Sequence, residues 1–152
     1  MGFFDQLKQK TQEMSSKLQL EAKKYQSKEF ARASMAMCAL IAAADGSIDA
    51  SERQKTAGLI MANPMLQMFD ASSLRADFDH YCNALSADFD FGKIEAIQAI
   101  SKLKSKQDHG RAVIQIGIII GGADGSFDDD EKKVVRDACF AVGINPTEFD
   151  LG

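Results

Sequence analysis

A nine-residue segment occurs twice in this chain, and it restricts the possible folds more than any other feature of the sequence. Residues 44–52 read ADGSIDASE and residues 123–131 read ADGSFDDDE, so six of nine positions are identical at an offset of 79 residues. In both copies an apolar segment precedes the repeat and a charged amphipathic segment follows it. Both flanking patterns are typical of α-helices. The repeat therefore predicts two helix–turn–helix units within one chain.

Apolar periodicity predicts helices along almost the whole chain, and no stretch alternates long enough to indicate a strand. The expected helices cover about 3–24, 28–44, 50–63, 71–85, 92–104, 108–123 and 129–142, with a short final turn from Asn145. The third of them must end before Pro64, because the residue before a proline resists the α region. We therefore predict a single all-α domain over 1–152 with seven to eight helices.

The two helices that precede the repeats are apolar enough to be buried on all sides. Each contains two small residues four positions apart, Cys38 and Ala42 in the first and Gly117 and Gly121 in the second. Small residues at this spacing allow two helix backbones to approach closely. We therefore expect these helices to cross at the centre of the domain, related by a pseudo-two-fold axis.

Helix capping explains part of each acidic turn. The spacing of a capping box occurs in two pairs of residues, Asp49 with Glu52 and Asp128 with Glu131. In such a box the first side chain accepts from backbone N–H groups ahead of it, and the second accepts from the N–H of the first. Asp129 and Asp130 would complement the positive N-terminus of the last long helix. None of these roles requires a ligand.

Asp45 and Asp124 are harder to explain by capping. Each follows the C-terminal end of an apolar helix, where the helix dipole disfavours a carboxylate by about 0.3–1 kcal/mol. Each also lies near other carboxylates, which repel it. A hard divalent cation such as calcium would convert this repulsion into attraction, because it binds carboxylate and carbonyl oxygens. The sequence thus predicts a divalent-cation site in the turns, with capping alone as the alternative.

Each turn also matches half of an EF-hand calcium loop. If the glycine of the first turn is the sixth residue of such a loop, Glu52 occupies the twelfth position, where the bidentate ligand belongs. The first and third positions are Ile41 and Ala43, which have no side-chain oxygen, and the second copy lacks oxygens there too. We expect the missing ligands to come from the other turn or from Asp88 and Asp90.

The sequence leaves open whether the two turns form one site or two. They would meet if the two apolar helices cross with their C-terminal ends together, and they would lie far apart if the helices are antiparallel. The second turn has five carboxylates within residues 124–131, whereas the first has three within 45–52. Because calcium prefers many oxygen ligands, we expect the second turn to bind it more tightly.

Charge is unevenly distributed along the chain. Residues 1–32 contain seven basic and four acidic side chains, and the remainder contains eleven and eighteen, so the balances are +3 and −7 within a total of −4. The net acidic charge argues against a nucleic-acid partner. Residues 1–27 have the pattern of a basic amphipathic helix. We expect residues 1–24 either to dock on an anionic membrane surface or to pack on the domain.

Nothing in the sequence indicates catalysis. His80 and Cys82 are two positions apart on a predicted helix and so face different sides, and the three cysteines have no CxxC spacing. The longest apolar stretch, 113–123, is about half of the ~20 residues that a membrane span needs. The first residues do not have the pattern of a signal peptide. We therefore predict a non-enzymatic protein of the cytoplasm.

Three features together resemble the TerB tellurite-resistance family. They are a Phe-Phe start on a lysine-bearing helix, a Phe-Asp-Phe-Gly-Lys stretch at 89–93, and the two Asp-Gly-x-x-Asp-x-x-Glu turns. The resemblance covers essentially the whole chain. It implies a cytoplasmic helical domain in a tellurite- and stress-resistance system, and docking by residues 1–24 would make it peripheral on the inner face of the membrane. The implied partners are a membrane-embedded TerC-type protein and other tellurite-resistance proteins.

The resemblance also implies which residues bind the cation. Carried over position by position, the metal site is Asp45, Asp49, Glu52, Asp124, Asp128 and Glu131. Further contributors would be Asp88, Asp90, Asp129 and Asp130. Two classes of function follow, a cation-responsive accessory protein or a metal-free adaptor whose acidic residues only cap helices. A calcium-dependent change in melting temperature would distinguish them.

Overall fold

Six α-helices and two short 3₁₀ helices, without any strand, form the part of the chain that the computed structural model describes, residues 27–123 and 125–151. The α-helices are α1 (Lys28–Ala42), α2 (Ala50–Ala62), α3 (Ala71–Ala87), α4 (Phe89–Ser101), α5 (Gln107–Gly121) and α6 (Asp129–Ala141). The 3₁₀ helices are Leu66–Met68 and Pro146–Phe149. The all-α prediction is confirmed. The expected first helix, at about 3–24, lies outside the described residues.

The junction between α3 and α4 differs from the sequence prediction, which placed the start of α4 near residue 92. The helix begins at Phe89 because Asp88 caps it, with its Oδ1 accepting from the N–H of Phe91 at 3.1 Å. The N–H of Asp88 also donates to the carbonyl of Ala84 at the end of α3, at 3.1 Å. One residue therefore ends one helix and begins the next.

α1 is the central helix of the domain. It contacts each of the other five described helices, and all six residues from Met35 to Leu40 are 0 % exposed. This part of the helix has no face left for water, which is why it is apolar on all sides, whereas the charged residues of α1, Lys28, Glu29 and Arg32, are exposed near its start. This burial agrees with the expectation for the helix that precedes the first turn.

α1 and α5 approach each other closely at Gly117. A Cβ atom built on this glycine would lie 2.7 Å from Cγ of Met37 and 3.0 Å from its Sδ, well inside the ~3.5–4 Å of normal contact. The small residue is therefore required by the packing of α5 on α1. Gly121 has a different role, since a Cβ there would lie 2.9 Å from the ring of Phe127 in the second turn. The pseudo-two-fold axis stays a prediction.

An ion pair joins the start of α5 to the C-terminal 3₁₀ helix. Arg111 donates to Glu148 twice, from Nε to Oε2 at 2.9 Å and from a terminal nitrogen to Oε1 at 3.2 Å. This hydrogen bonding lowers the pKa of the Glu148 carboxyl below its usual value. The 3₁₀ helix itself starts with Pro146 after the cap Asn145, as the Asn-Pro pair predicts.

Candidate functional site

The described residues of the two acidic turns share two backbone features. Each follows the C-terminal end of a buried helix and contains a glycine with positive φ, 94° at Gly46 and 81° at Gly125. L-residues with a Cβ rarely adopt such angles, so glycine suits both positions. Each turn then ends in an extended aspartate, Asp49 or Asp128, that caps the next helix.

The predicted caps at Asp49 and Asp128 are confirmed, but of the two predicted capping boxes only the one in the second turn is complete among the described residues. In the second turn Asp128 accepts from the N–H of Glu131 at 2.8 Å, and Glu131 accepts from the N–H of Asp128 at 3.0 Å, which completes a capping box. In the first turn Asp49 accepts from the N–H of Glu52 at 2.7 Å. A capping box has two hydrogen bonds, and the first turn forms the one in which the Asp49 side chain accepts from the backbone of Glu52. Glu52 thus differs from Glu131 in its local role.

Asp45 has a structural role that the sequence interpretation missed. Its Oδ1 accepts from the N–H of Ser47 at 3.1 Å and from the Ser47 hydroxyl at 3.3 Å. This is an Asx turn, in which the side chain imitates a backbone carbonyl and closes the loop. The expectation that capping leaves Asp45 without a structural explanation is therefore wrong. The Asp-x-Ser spacing was the signal that pointed to this turn.

Side chains from both turns line the same cleft, which has a volume of about 250 Å³. Among the described residues, its carboxylates are those of Asp45, Glu52, Asp128 and Glu131. The last residues of α1 and α5, including Ala42 and Gly121, also line it. The C-terminal ends of these two helices therefore come together, which is the arrangement that the sequence left open. Turns that are 79 residues apart in the chain meet at one end of the molecule.

The cleft has an electrostatic character that favours cations. The negative C-terminal ends of α1 and α5 meet here, but the positive N-terminal ends of α2 and α6 begin at the same turns and oppose them. The side chains therefore set the sign of the charge. The four carboxylates are negative, and Lys55 of α2 contributes the one ammonium group among the described lining side chains. The formal charge of these five side chains is −3. Hydroxyl oxygens of Thr56 and Ser126 also line the cleft.

The other predicted ligands occupy different positions. Asp49 caps α2 and Asp88 caps α4, with their accepting oxygens directed at backbone N–H groups. Asp90, Asp129 and Asp130 are exposed in the first turns of α4 and α6. The residues that line the cleft do not include these five. Asp124, which the sequence analysis placed in the site, lies outside the described residues.

The oxygen atoms that line the cleft are of the kind that binds a hard cation, but the described side chains are not spaced closely enough to surround one. Within residues 27–123 and 125–151, no three His, Cys, Asp or Glu side chains are grouped closely enough to hold a metal ion. Carboxylate, hydroxyl and carbonyl oxygens are nevertheless the atoms that calcium and magnesium bind. The side chains of Asp45, Glu52, Asp128 and Glu131 thus provide the ligand chemistry without a complete coordination shell.

Comparison with known proteins identifies the family. A family model described as "Tellurite resistance protein TerB" matches residues 31–151, which include both turns and the cleft. The chain belongs to the TerB family. A relative from Alcaligenes sp. named "Tellurium resistance protein TerB" is 27 % identical over 118 residues, covering 78 % of this chain and 97 % of the relative. No solved structure matches the chain. TerB membership associates the protein with tellurite resistance.

The thiols of this TerB domain are poorly suited to chemistry. Cys38, Cys82 and Cys139 are all buried. Burial raises the pKa of Cys82 to about 11 and that of Cys139 to about 12, and it raises the pKa of Cys38 as well. Since the thiolate is the reactive form, almost none is available at neutral pH in the folded state.

In the described part of the chain, no helix combines the length and the apolarity needed to cross a bilayer.

Proposed function

We propose that this protein is a non-enzymatic accessory component of a tellurite- and stress-resistance system. We further propose that it binds a divalent cation, with calcium as the favoured ion, in the cleft between its acidic turns. The main support is the meeting of carboxylates from both turns at one cleft. Capping alone requires no such meeting, because each cap acts only on its own helix.

The residues that would hold the ion are Asp45, Glu52, Asp128 and Glu131. Calcium binds about 6–8 oxygens, so these carboxylates need backbone carbonyls or water to complete the shell. Asp124 comes three positions after the end of α5, as Asp45 does after the end of α1, and is a further candidate on sequence grounds. A bound ion would neutralise part of the charge on the cleft and link the turn after α1 to the turn after α5.

The proposed accessory role depends on this change of charge. Binding a divalent ion would change the formal charge of the described lining side chains from −3 to −1. A surface that changes in this way can report the ion to a partner. From the resemblance to TerB, the partners would be a membrane-embedded TerC-type protein and other tellurite-resistance proteins in the cytoplasm. Residues 1–24, which lie outside the described residues, would add docking at the inner face of the membrane.

The non-enzymatic part of the proposal rests on the chemistry of the described side chains. An enzyme that reduces or conjugates tellurite through its own cysteines would need an accessible thiolate. The three thiols are instead buried, and burial raises their pKa values. The family and its acidic cleft therefore support binding rather than catalysis.

A calcium titration of the melting temperature, with two matched aspartate variants, tests the proposal. Binding to the folded state adds RT ln(1 + [L]/Kd), which is about 2.7 kcal/mol at a hundredfold excess over Kd and roughly 5–10 °C for a domain of this size. Asp45→Asn should lose most of this gain, because Asp45 lines the cleft. Asp49→Asn should keep it, because Asp49 only caps α2. In both variants the amide oxygen can still accept the local hydrogen bonds.

The alternative is a metal-free adaptor, and one observation favours it. Asp45, Asp49 and Asp128 each accept from a nearby backbone N–H, so each has a structural role without an ion. If millimolar calcium, magnesium and manganese all leave the melting temperature of the parent unchanged, the adaptor interpretation replaces the cation site. An equal loss of the calcium effect in Asp49→Asn would also contradict the cleft as the place of binding.

A further inference from the structure

Lys55 places a positive charge inside the acidic cleft. It lies in α2, and it lines the cleft together with Glu52, Thr56 and Leu59. These positions are separated by three, one and three residues, so they share one face of the helix. One wall of the cleft is therefore a single face of α2, and Lys55 belongs to that face.

The other basic residue of α2 shows that this placement is specific. Arg53 is directed away from the cleft and forms an ion pair with Asp79 of α3 at 3.1 Å. Lys55 instead lines the cleft together with carboxylates of both turns. An exposed lysine has a flexible stem and a strongly hydrated ammonium group. It can therefore leave the carboxylates and remain in water when another cation arrives.

We propose that Lys55 is the resident counterion of the cleft and determines which cations enter it, an inference that rests on the proposed cation site. A sodium or potassium ion has the same charge as the ammonium group of Lys55 but is not tethered to the protein. Replacing the ammonium group beside the carboxylates would therefore gain such an ion little binding free energy. A divalent ion has twice the charge and binds several carboxylates at once. Lys55 therefore excludes monovalent ions and sets the concentration at which a divalent ion binds.

The size of the effect follows from Coulomb's law. A unit charge about 6 Å from a divalent ion, in a medium as polar as water, changes the affinity about tenfold. Removing the charge of Lys55 should therefore tighten calcium binding by about that factor at low salt. The difference should shrink as the ionic strength rises, because salt screens charges at exposed sites.

Isothermal titration with calcium chloride at low ionic strength tests the inference on Lys55→Gln, Lys55→Arg and a matched control, Lys104→Gln. Lys104 is an exposed lysine just before α5, about 20 Å along that helix from the cleft. We expect about tenfold tighter binding in Lys55→Gln and unchanged binding in Lys55→Arg and Lys104→Gln. When sodium chloride is added to the same ionic strength in both proteins, the melting temperature of Lys55→Gln should rise more than that of the parent.

Each outcome bears on a different claim. If the parent binds calcium and Lys55→Gln binds it equally or more weakly, the role of Lys55 is wrong while the cation site stands. If neither protein binds calcium, both proposals are wrong. A purely structural lysine would lower the melting temperature of the metal-free Lys55→Gln protein without tightening calcium binding, and that result also contradicts the inference.

Discussion

Gly92 in α4 lies against the backbone of α3, and replacing it with alanine is expected to destabilise the domain. A Cβ atom at this position would lie 2.6 Å from the backbone nitrogen of Leu85 and 2.7 Å from the carbonyl carbon and oxygen of Ala84. Normal contacts between such atoms are about 3.5 Å. Since the obstacle is backbone, no side chain can rotate away, and α3 and α4 must move apart.

The expected magnitude combines two opposing effects. Overpacking of this kind costs about 1–3 kcal/mol, whereas alanine in place of glycine within a helix contributes about 0.5–1 kcal/mol of stability. Because the obstacle is backbone at 2.6–2.7 Å, the overpacking cost falls in the upper part of its range, and we expect Gly92→Ala to lower the free energy of unfolding by roughly 1–2 kcal/mol. For a domain of this size, that loss lowers the melting temperature by roughly 2–8 °C.

Two other helical glycines serve as controls for the same substitution. Gly58 is exposed in α2, and a Cβ there would have nothing within 4 Å. Gly58→Ala should therefore show only the helical gain, about 0.5–1 kcal/mol. At Gly117 the obstacle is the side chain of Met37, which is flexible and can partly rearrange. Gly117→Ala should lose less stability than Gly92→Ala.

Urea unfolding followed by circular dichroism measures all three variants against the parent. The expected order of stability is Gly58→Ala, parent, Gly117→Ala and then Gly92→Ala. A Gly92→Ala protein that is as stable as the parent would refute the close approach of α3 and α4. Equal shifts in Gly58→Ala and Gly92→Ala would show that helix propensity alone determines the outcome.

Two further predictions concern pH and the N-terminal segment. Because Arg111 lowers the pKa of Glu148 in the folded state, this pair stabilises the fold above the ordinary glutamate value of about 4.3, and the contribution disappears as the pH falls through the lowered pKa. The melting temperature of Glu148→Gln should therefore be lower than that of the parent at pH 7 and equal to it at acidic pH. A difference in melting temperature that persists at low pH would contradict this. Deletion of residues 1–24 should abolish co-sedimentation with anionic vesicles at low salt, and docking by this segment is wrong if the intact protein never sediments.

Most of the fold could be predicted from apolar periodicity and a few local signals. The ends of α2 and α6 follow from Pro64 and from Gly143, which has a positive φ of 73°. The start of α4 was misplaced because Asp88 belongs to two helices at once, and no propensity rule expects a one-residue junction. The 3₁₀ helix at Leu66–Met68 was also missed, since three residues are too few to show periodicity.

The candidate site was only partly predictable. Local spacing correctly identified the caps at Asp49 and Asp128, because a cap depends on residues close in sequence. The meeting of the two turns depends on how α1 and α5 cross, and a helical pattern does not specify that direction. Lys55 was overlooked although its spacing from Glu52 placed both on one face of α2, because the sequence did not show that this face borders the second turn.

The composition of the cleft also affects the order in which it can form during synthesis. Its first carboxylates precede residue 53, while Asp128 and Glu131 follow after three further helices. A nascent chain that has emerged only as far as α4 has one turn and no cleft. Contacts between such distant segments form late, because closing a long loop is entropically unfavourable. An ion that required both turns would therefore bind only the finished domain, and it would protect completed molecules from unfolding while leaving incomplete ones untouched.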